Sequence, residues 1–140
     1  MNKIFIDANF IIAIFRDIEP KHKLALATCE TLLNNYDCYI SNGIISEVTT
    51  IMMMRTKDKE LTEKAFYFMK DNFTVLNEYE IPNYNDKVFK IFRKYNTDKF
   101  NVGFIDCSIV ILSDFFQLDQ VATFDKNFKL FTEITLYDMQ

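Results

Sequence analysis

Four acidic residues occupy positions where a carboxylate is costly unless it has work to do. Asp7 closes the apolar run KIFI, and Asp125 closes VATF. Glu47 lies three residues after Ile44 and four before Ile51, so it shares or borders the apolar stripe of a helix. Asp106 stands near the start of FIDCSIVILSDFF, with Ile109 and Val110 at its i+3 and i+4 positions. A carboxylate set into a buried surface costs several kcal/mol unless it is paired or coordinates a metal. No Arg or Lys is spaced to pair Glu47 or Asp106 locally, since Arg55 and Lys99 lie about two turns away. A shared cation is the simplest explanation. Two carboxylates ~5 Å apart at an effective dielectric of ~20 repel by roughly 3 kcal/mol. Four converging acids would therefore be strained without a cation, with at least one protonated near neutral pH. Hard oxygen donors suit Mg²⁺ or Mn²⁺, which would keep waters for chemistry. One or two such ions can clamp a phosphodiester and lower the pKa of a water for in-line attack.

Each acid also has a plainer reading. Asp7 and Asp125 fit turn or helix-cap residues, and Asp106 fits a first-turn acid favoured by the helix dipole. Glu47 has the weakest alternative, because neither capping nor solvation explains its face.

These side chains need a scaffold that gathers positions scattered along the chain. Residues 3–6 read as a buried strand that stops at Asp7. A short apolar helix over 9–16 follows, then a second helix opening around Pro20 and running to about Asn34. DCYIS at 37–41 is a second strand, and Ser41 or Asn42 can cap the helix bearing Glu47. Leu61, Ala65, Phe68 and Met69 mark another helix, FTVL at 73–76 a third strand, and Val88, Phe92 and Tyr95 a helix after Pro82. Residues 104–116 form a buried helix, 120–124 a fourth strand, and 135–137 an expected fifth. Strands alternating with helices, without hairpin signals, predict an α/β fold whose parallel sheet is covered on both faces. Ligands in such sheets bind outside the carboxyl ends of the strands, where Asp7 and Asp125 fall.

Bulk composition narrows the rest. With 140 residues, no linker and no repeat, a single domain over 1–140 is expected. The formal net charge of −4 argues against a broad basic nucleic-acid surface. Two glycines exclude a Gly-rich phosphate loop, and a single histidine, His22, excludes a HExxH zinc site. His22, flanked by Lys21 and Lys23, is expected to be exposed. Cys29, Cys38 and Cys107 are odd in number, without CxxC spacing or a secretory signal, so they read as reduced thiols of a cytoplasmic protein. No run approaches the ~20 apolar residues of a membrane span.

The four acids sit in motifs that together resemble the PIN domain family, metal-dependent ribonucleases that include VapC-type toxins. FIDANFII is similar to the first motif, with Asp7 followed two residues later by a small polar residue, Asn9. SNGIISEV is similar to the second, carrying Glu47, and FIDCSIVILS to the third, carrying Asp106. VATFDKNF is similar to the fourth, with Thr123, Asp125 and Phe128. The resemblance spans essentially the whole chain. Phe124 departs from it, standing where the family often has a polar or basic residue.

The resemblance implies a three-layer sandwich with a central parallel sheet of four to five strands. It implies a Mg²⁺- or Mn²⁺-dependent endoribonuclease in which Asp7, Glu47, Asp106 and Asp125 hold metal, and Asn9 and Thr123 orient ligands or waters. It further implies the toxin of a type II toxin–antitoxin pair, with RNA as substrate, a cognate antitoxin as partner and a homodimer as the resting assembly. Two alternatives stand beside it. One is a non-catalytic RNA- or protein-binding module of the same fold. The other is a phosphatase-type enzyme using Asp7 as nucleophile, which DAN disfavours because it lacks a second Asp. Lys87, Lys90 and Lys94, with Arg93 beside them, form a stripe that could guide RNA, although a solvated helix face explains it more simply. Fifteen phenylalanines and seven tyrosines leave aromatics to spare, and Phe66–Phe68 and Phe115-Phe116 are the candidate faces for a dimer or antitoxin.

Overall fold

The computed structural model describes residues 1–139; residue 140, the last of the expected domain, lies outside the described residues. Five strands form one sheet: β1 (Lys3–Ile6), β2 (Asp37–Ser41), β3 (Thr74–Leu76), β4 (Gln120–Ala122) and β5 (Thr135–Leu136). All pairings are parallel and the order is β3-β2-β1-β4-β5. Six helices accompany them: α1 (Ala8–Phe15), α2 (His22–Asn35), α3 (Asn42–Thr56), α4 (Lys59–Asn72), α5 (Tyr84–Tyr95) and α6 (Phe104–Phe115). Helices α1 to α4 pack on one another, and α5 packs on α6. Right-handed crossovers explain the division. The chain steps outward from β1 to β3 with helices on one face, then returns across the sheet to β4 with helices on the other.

Strand β1 is central, and Ile4, Phe5 and Ile6 are wholly buried. That burial on both faces is why KIFI reads as an unbroken apolar run rather than an alternating one. The order reverses between β1 and β4, which lead away to opposite sides of the sheet. At such a switch point the loops beyond the carboxyl ends diverge and leave a crevice. Helices α1 and α3 begin there because they follow β1 and β2. Helix α6 begins there too, because it must run back antiparallel before feeding β4.

The expected elements are present, with local differences that have local causes. Strand β4 ends at Ala122 rather than 124. Its next residues turn to side chains instead of a neighbouring strand: the Phe124 N–H donates to Asn9 Oδ1 at 3.0 Å. Strand β3 starts at Thr74, since the Phe73 N–H closes α4 on the Met69 carbonyl at 3.1 Å. Pro20 sits in the turn before α2, not in its first helical position. His22 is half-buried rather than exposed, its Nδ1 lying 2.7 Å from the Ala13 carbonyl oxygen, a contact that ties α2 to α1. The three cysteines are free and buried. Among the described residues, no helix is long and apolar enough to cross a membrane.

The aromatic residues divide between core and surface. Phe68 packs edge-on against Phe15 and Phe73, so it belongs to the interior, whereas Tyr67 and Phe115 are exposed.

Candidate metal centre

Asp7 terminates β1 and is 3% exposed. Its backbone N–H still donates to the Ala122 carbonyl at 3.0 Å, so the sheet fixes where the side chain departs. Its Oδ1 accepts the Ala8 N–H at 2.8 Å, which starts α1. Its Oδ2 accepts the Thr123 hydroxyl at 2.7 Å and lies 3.4 Å from the Asn9 amide nitrogen. The plain capping reading of Asp7 is thus realised together with deep burial. Thr123 Oγ1 also accepts the Asp125 N–H at 3.0 Å and the Asn9 Nδ2 at 3.0 Å. One hydroxyl therefore links the residues that close β1 and β4.

The other acids approach from the helices. Glu47 is half-buried one and a half turns into α3, whose N-terminus Ser41 caps through the Ile44 N–H at 3.3 Å. Glu47 Oε2 is shut off from solvent and has no hydrogen-bond partner. Asp106, in the first turn of α6, accepts the Gly103 N–H at 3.4 Å. Asp125 accepts the Asn127 N–H at 2.9 Å and caps a 3₁₀ turn at Lys126–Leu130.

Electrostatics connects the four. Burial pushes the Asp7 carboxyl from 3.8 up to about 7, helped by the Asp106 charge and, less, by that of Glu47. The hydrogen bonds from Thr123 and Ala8 oppose the rise. Burial raises Glu47, and Asp106 adds to it. Burial raises Asp106 as well, the Gly103 N–H opposes this, and Asp125 adds to it. Asp106 is thus the acid whose field connects the other three.

No base neutralises this group. Among the described residues, the ion pairs are Arg16–Glu19 and Arg55–Glu19, both elsewhere. Nor do the acids close on a single point: among the described residues, no three Asp, Glu, His or Cys side chains stand close enough to hold one ion as they are. The fit to a divalent cation is therefore one of donor chemistry. It rests on hard oxygens without a counter-charge and a buried Glu47 oxygen without a partner.

Two residues outside the expected set shape the centre. Glu78, 1% exposed in a 3₁₀ turn (Glu78–Glu80) after β3, accepts the Asn42 and Gly43 N–H groups at 3.1 and 2.8 Å and the Asn42 side-chain amide at 3.0 Å. It thereby anchors the N-terminus of the helix that carries Glu47. Gly43 marks a close approach: a Cβ there would lie 2.7 Å from Ile105 Cδ1, so the end of that half-buried side chain would have to turn aside. That contact lets α3 lie against the start of α6, next to Asp106. Glu78 follows a strand as Asp7 and Asp125 do, and that position was its signal in the sequence. Lys87, Lys90 and Lys94 lie on the exposed face of α5.

Comparison with known proteins follows the same lines. VapC20 of Mycobacterium tuberculosis, described as a sarcin-ricin loop-cleaving toxin, is 16% identical, with a TM-score of 0.75 over 94% of this chain and 98% of that one. VapBC2 of Rickettsia felis, solved bound to a promoter DNA fragment, is 13% identical with a TM-score of 0.71, covering 96% and 97% of the two chains. FitAcB of Neisseria gonorrhoeae is 17% identical with a TM-score of 0.61, covering 97% of each. At these identities the likeness is one of fold. No curated protein sequence matches the chain. The family model of the PIN domain matches residues 4–133, a span that contains all four acids together with Asn9 and Thr123. The chain therefore belongs to the PIN domain family.

Proposed function

We propose that this protein is a divalent-metal-dependent endoribonuclease, with Asp7, Glu47, Asp106 and Asp125 as its metal-holding and catalytic acids. The observation that carries the reading is the group of one buried and three half-buried acids that, among the described residues, has no counter-cation, and in which Asp7 is driven up to about 7. Such a group opposes folding in the absence of a ligand, and a cation would relieve it. When bound, Mg²⁺ or Mn²⁺ supplies charge that draws phosphodiester oxygens and acidifies a water for in-line attack. The chain's own residues do the positioning. Thr123 and Asn9 hold Asp7 Oδ2, and Ala8 holds Oδ1, so that carboxylate has one orientation. The Gly103 N–H steadies Asp106, while the unpartnered Glu47 Oε2 is free to accept. The lysines of α5 would draw RNA by long-range charge.

The toxin description of VapC20 and the two-component names VapBC2 and FitAcB support a role as the toxin of a toxin–antitoxin pair. In that role an antitoxin would cover the centre and the resting form would be a homodimer. A non-catalytic binding module of the same fold is the second reading, favoured by the acids standing too far apart to share one ion as they are.

Thermal melts across a Mg²⁺ and Mn²⁺ titration, run beside a cleavage assay on single-stranded RNA, separate the two. The nuclease reading expects the melting temperature to rise with metal and cleavage to fall at least about 100-fold in Asp7→Asn and Asp106→Asn. Full cleavage by both variants refutes the site. A melting temperature indifferent to millimolar metal, with no cleavage, favours the binding module.

A further inference from the structure

A cavity of about 600 Å³ opens beside Thr123 and Phe124, within the range of small-ligand sites. It shares a wall with the acidic centre, because the same Thr123 holds the Asp7 carboxylate. Lys21, Lys126 and Lys129 line it, all three exposed and, among the described residues, none in an ion pair. Among the described residues, Asp138 is the one acid on its wall. Three cations against one anion make this a locally positive place on a chain whose net charge is −4. Two aromatic rings complete it, each held by another ring. Phe124 stacks on Phe10 with centroids 5.7 Å apart, and Tyr137 meets Tyr36 edge-on at 5.6 Å. The cavity on the Glu47 flank, lined by Ser46, Thr50 and Tyr79, carries no cation.

We propose that the lysine-lined cavity is a nucleotide subsite, where Lys21, Lys126 and Lys129 take an RNA phosphate and Phe124 and Tyr137 take a base. The proposal rests on the ribonuclease reading above and deepens it by giving the strand a preferred side. Ammonium groups act as point charges toward phosphate, and aromatic faces accept any base, so the subsite grips RNA with little sequence preference. Phe124, a departure from the family pattern, becomes on this view a stacking surface in place of a polar contact.

The test is fluorescence anisotropy of a short labelled single-stranded RNA in excess EDTA, with full-length protein. The triple variant Lys21→Gln, Lys126→Gln, Lys129→Gln should bind at least about tenfold more weakly. Its log-affinity slope against log salt should flatten by about 0.7, the share of one lost phosphate contact. Tyr137→Ala should weaken RNA but leave inorganic tripolyphosphate binding intact, whereas the lysine variant should weaken both. Wild-type affinity and slope in the lysine variant overturn the proposal. So does an oligoglutamate peptide that displaces the RNA as well as unlabelled RNA does, since the cavity would then be a seat for acidic protein segments. The nuclease reading fails separately: protein that binds RNA through these lysines yet never cleaves it with Mg²⁺ or Mn²⁺ refutes catalysis and upholds the subsite.

Discussion

The Thr123 hydroxyl donates to Asp7 Oδ2 at 2.7 Å, joining two residues 116 positions apart in the chain. Among the described residues it is the shortest hydrogen bond that any of the four acids accepts, and it opposes the burial that would otherwise drive Asp7 still higher. The chemistry proposed for the centre depends on Asp7 being ionisable near neutrality, so this bond is the first to test.

Replacing Thr123 with Val removes a donor to Asp7 and an acceptor for the Asp125 N–H. Asp7 then titrates above its present value of about 7. In metal-free protein the Asp7 titration should move to higher pH, and stability should fall by about 1–3 kcal/mol. Thr123→Ser, which restores the hydroxyl, should return both toward wild type. A metal-free dependence of stability on pH that Val leaves unmoved would mean that Asp7 is not the group being titrated.

Metal-free stability should itself depend on pH through Asp7. Its carboxyl titrates at about 7 when folded against 3.8 as the reference. Between those values the folded state binds more protons than the unfolded state, so stability falls as pH rises and levels off above about 7. The full span corresponds to about 4 kcal/mol. Melts in EDTA should thus show a higher melting temperature at pH 5.5 than at pH 8. Asp7→Asn should flatten that difference and be the more stable protein at pH 8. Identical pH profiles for the two proteins would remove Asp7 as the source of strain.

Gly43→Ala sets two effects against each other. Alanine favours the helix by up to about 1 kcal/mol, but its Cβ would lie 2.7 Å from Ile105 Cδ1. The colliding atom ends a half-buried side chain that can turn aside, so the two effects should offset and the net change in stability should stay within about 1 kcal/mol. Ile105 adjoins Asp106, so cleavage should fall even where stability does not. Ile105→Val trims the colliding methyl. The double variant should recover stability beyond the sum of the two single changes, as measured in a double-mutant cycle by urea unfolding.

Glu78→Gln keeps the shape of the side chain but removes the charge facing the first N–H groups of α3. Loss of a charge-assisted cap should reduce stability by about 1–2 kcal/mol. The sharper readout is metal affinity by calorimetry. A loosened α3 should weaken binding through Glu47, whereas a purely structural role would lower the melting temperature and leave the affinity unchanged.

Much of this organisation is legible in the residues themselves. The strand ahead of Asp7 announces itself as a continuous β-branched and aromatic run because both its faces are buried. The helices bearing Glu47 and Asp106 announce themselves by apolar spacing. Residues whose partners are distant are harder to read. Glu78 shares with Asp7 the position after a strand, but its partner is legible only once the start of α3 is seen against it. His22 looks solvated between two lysines until the Ala13 carbonyl is found facing its ring. Lys21 and Lys126 lie far apart in the chain, so their shared cavity emerges only when β4 has been set beside β1. The carboxylates carried a local signal, burial without a partner; the lysines carried none.

The placement of β4 next to β1 also has a consequence in time. Asp7 ends the first strand, while the hydroxyl that steadies it lies 116 residues further along the chain and the acid beyond it follows two residues later. Pairing across so much sequence is slow compared with forming local helices. Until that pairing forms, a folding chain keeps Asp7 solvated and its acids apart. The acidic centre is complete only once β4 has docked beside β1.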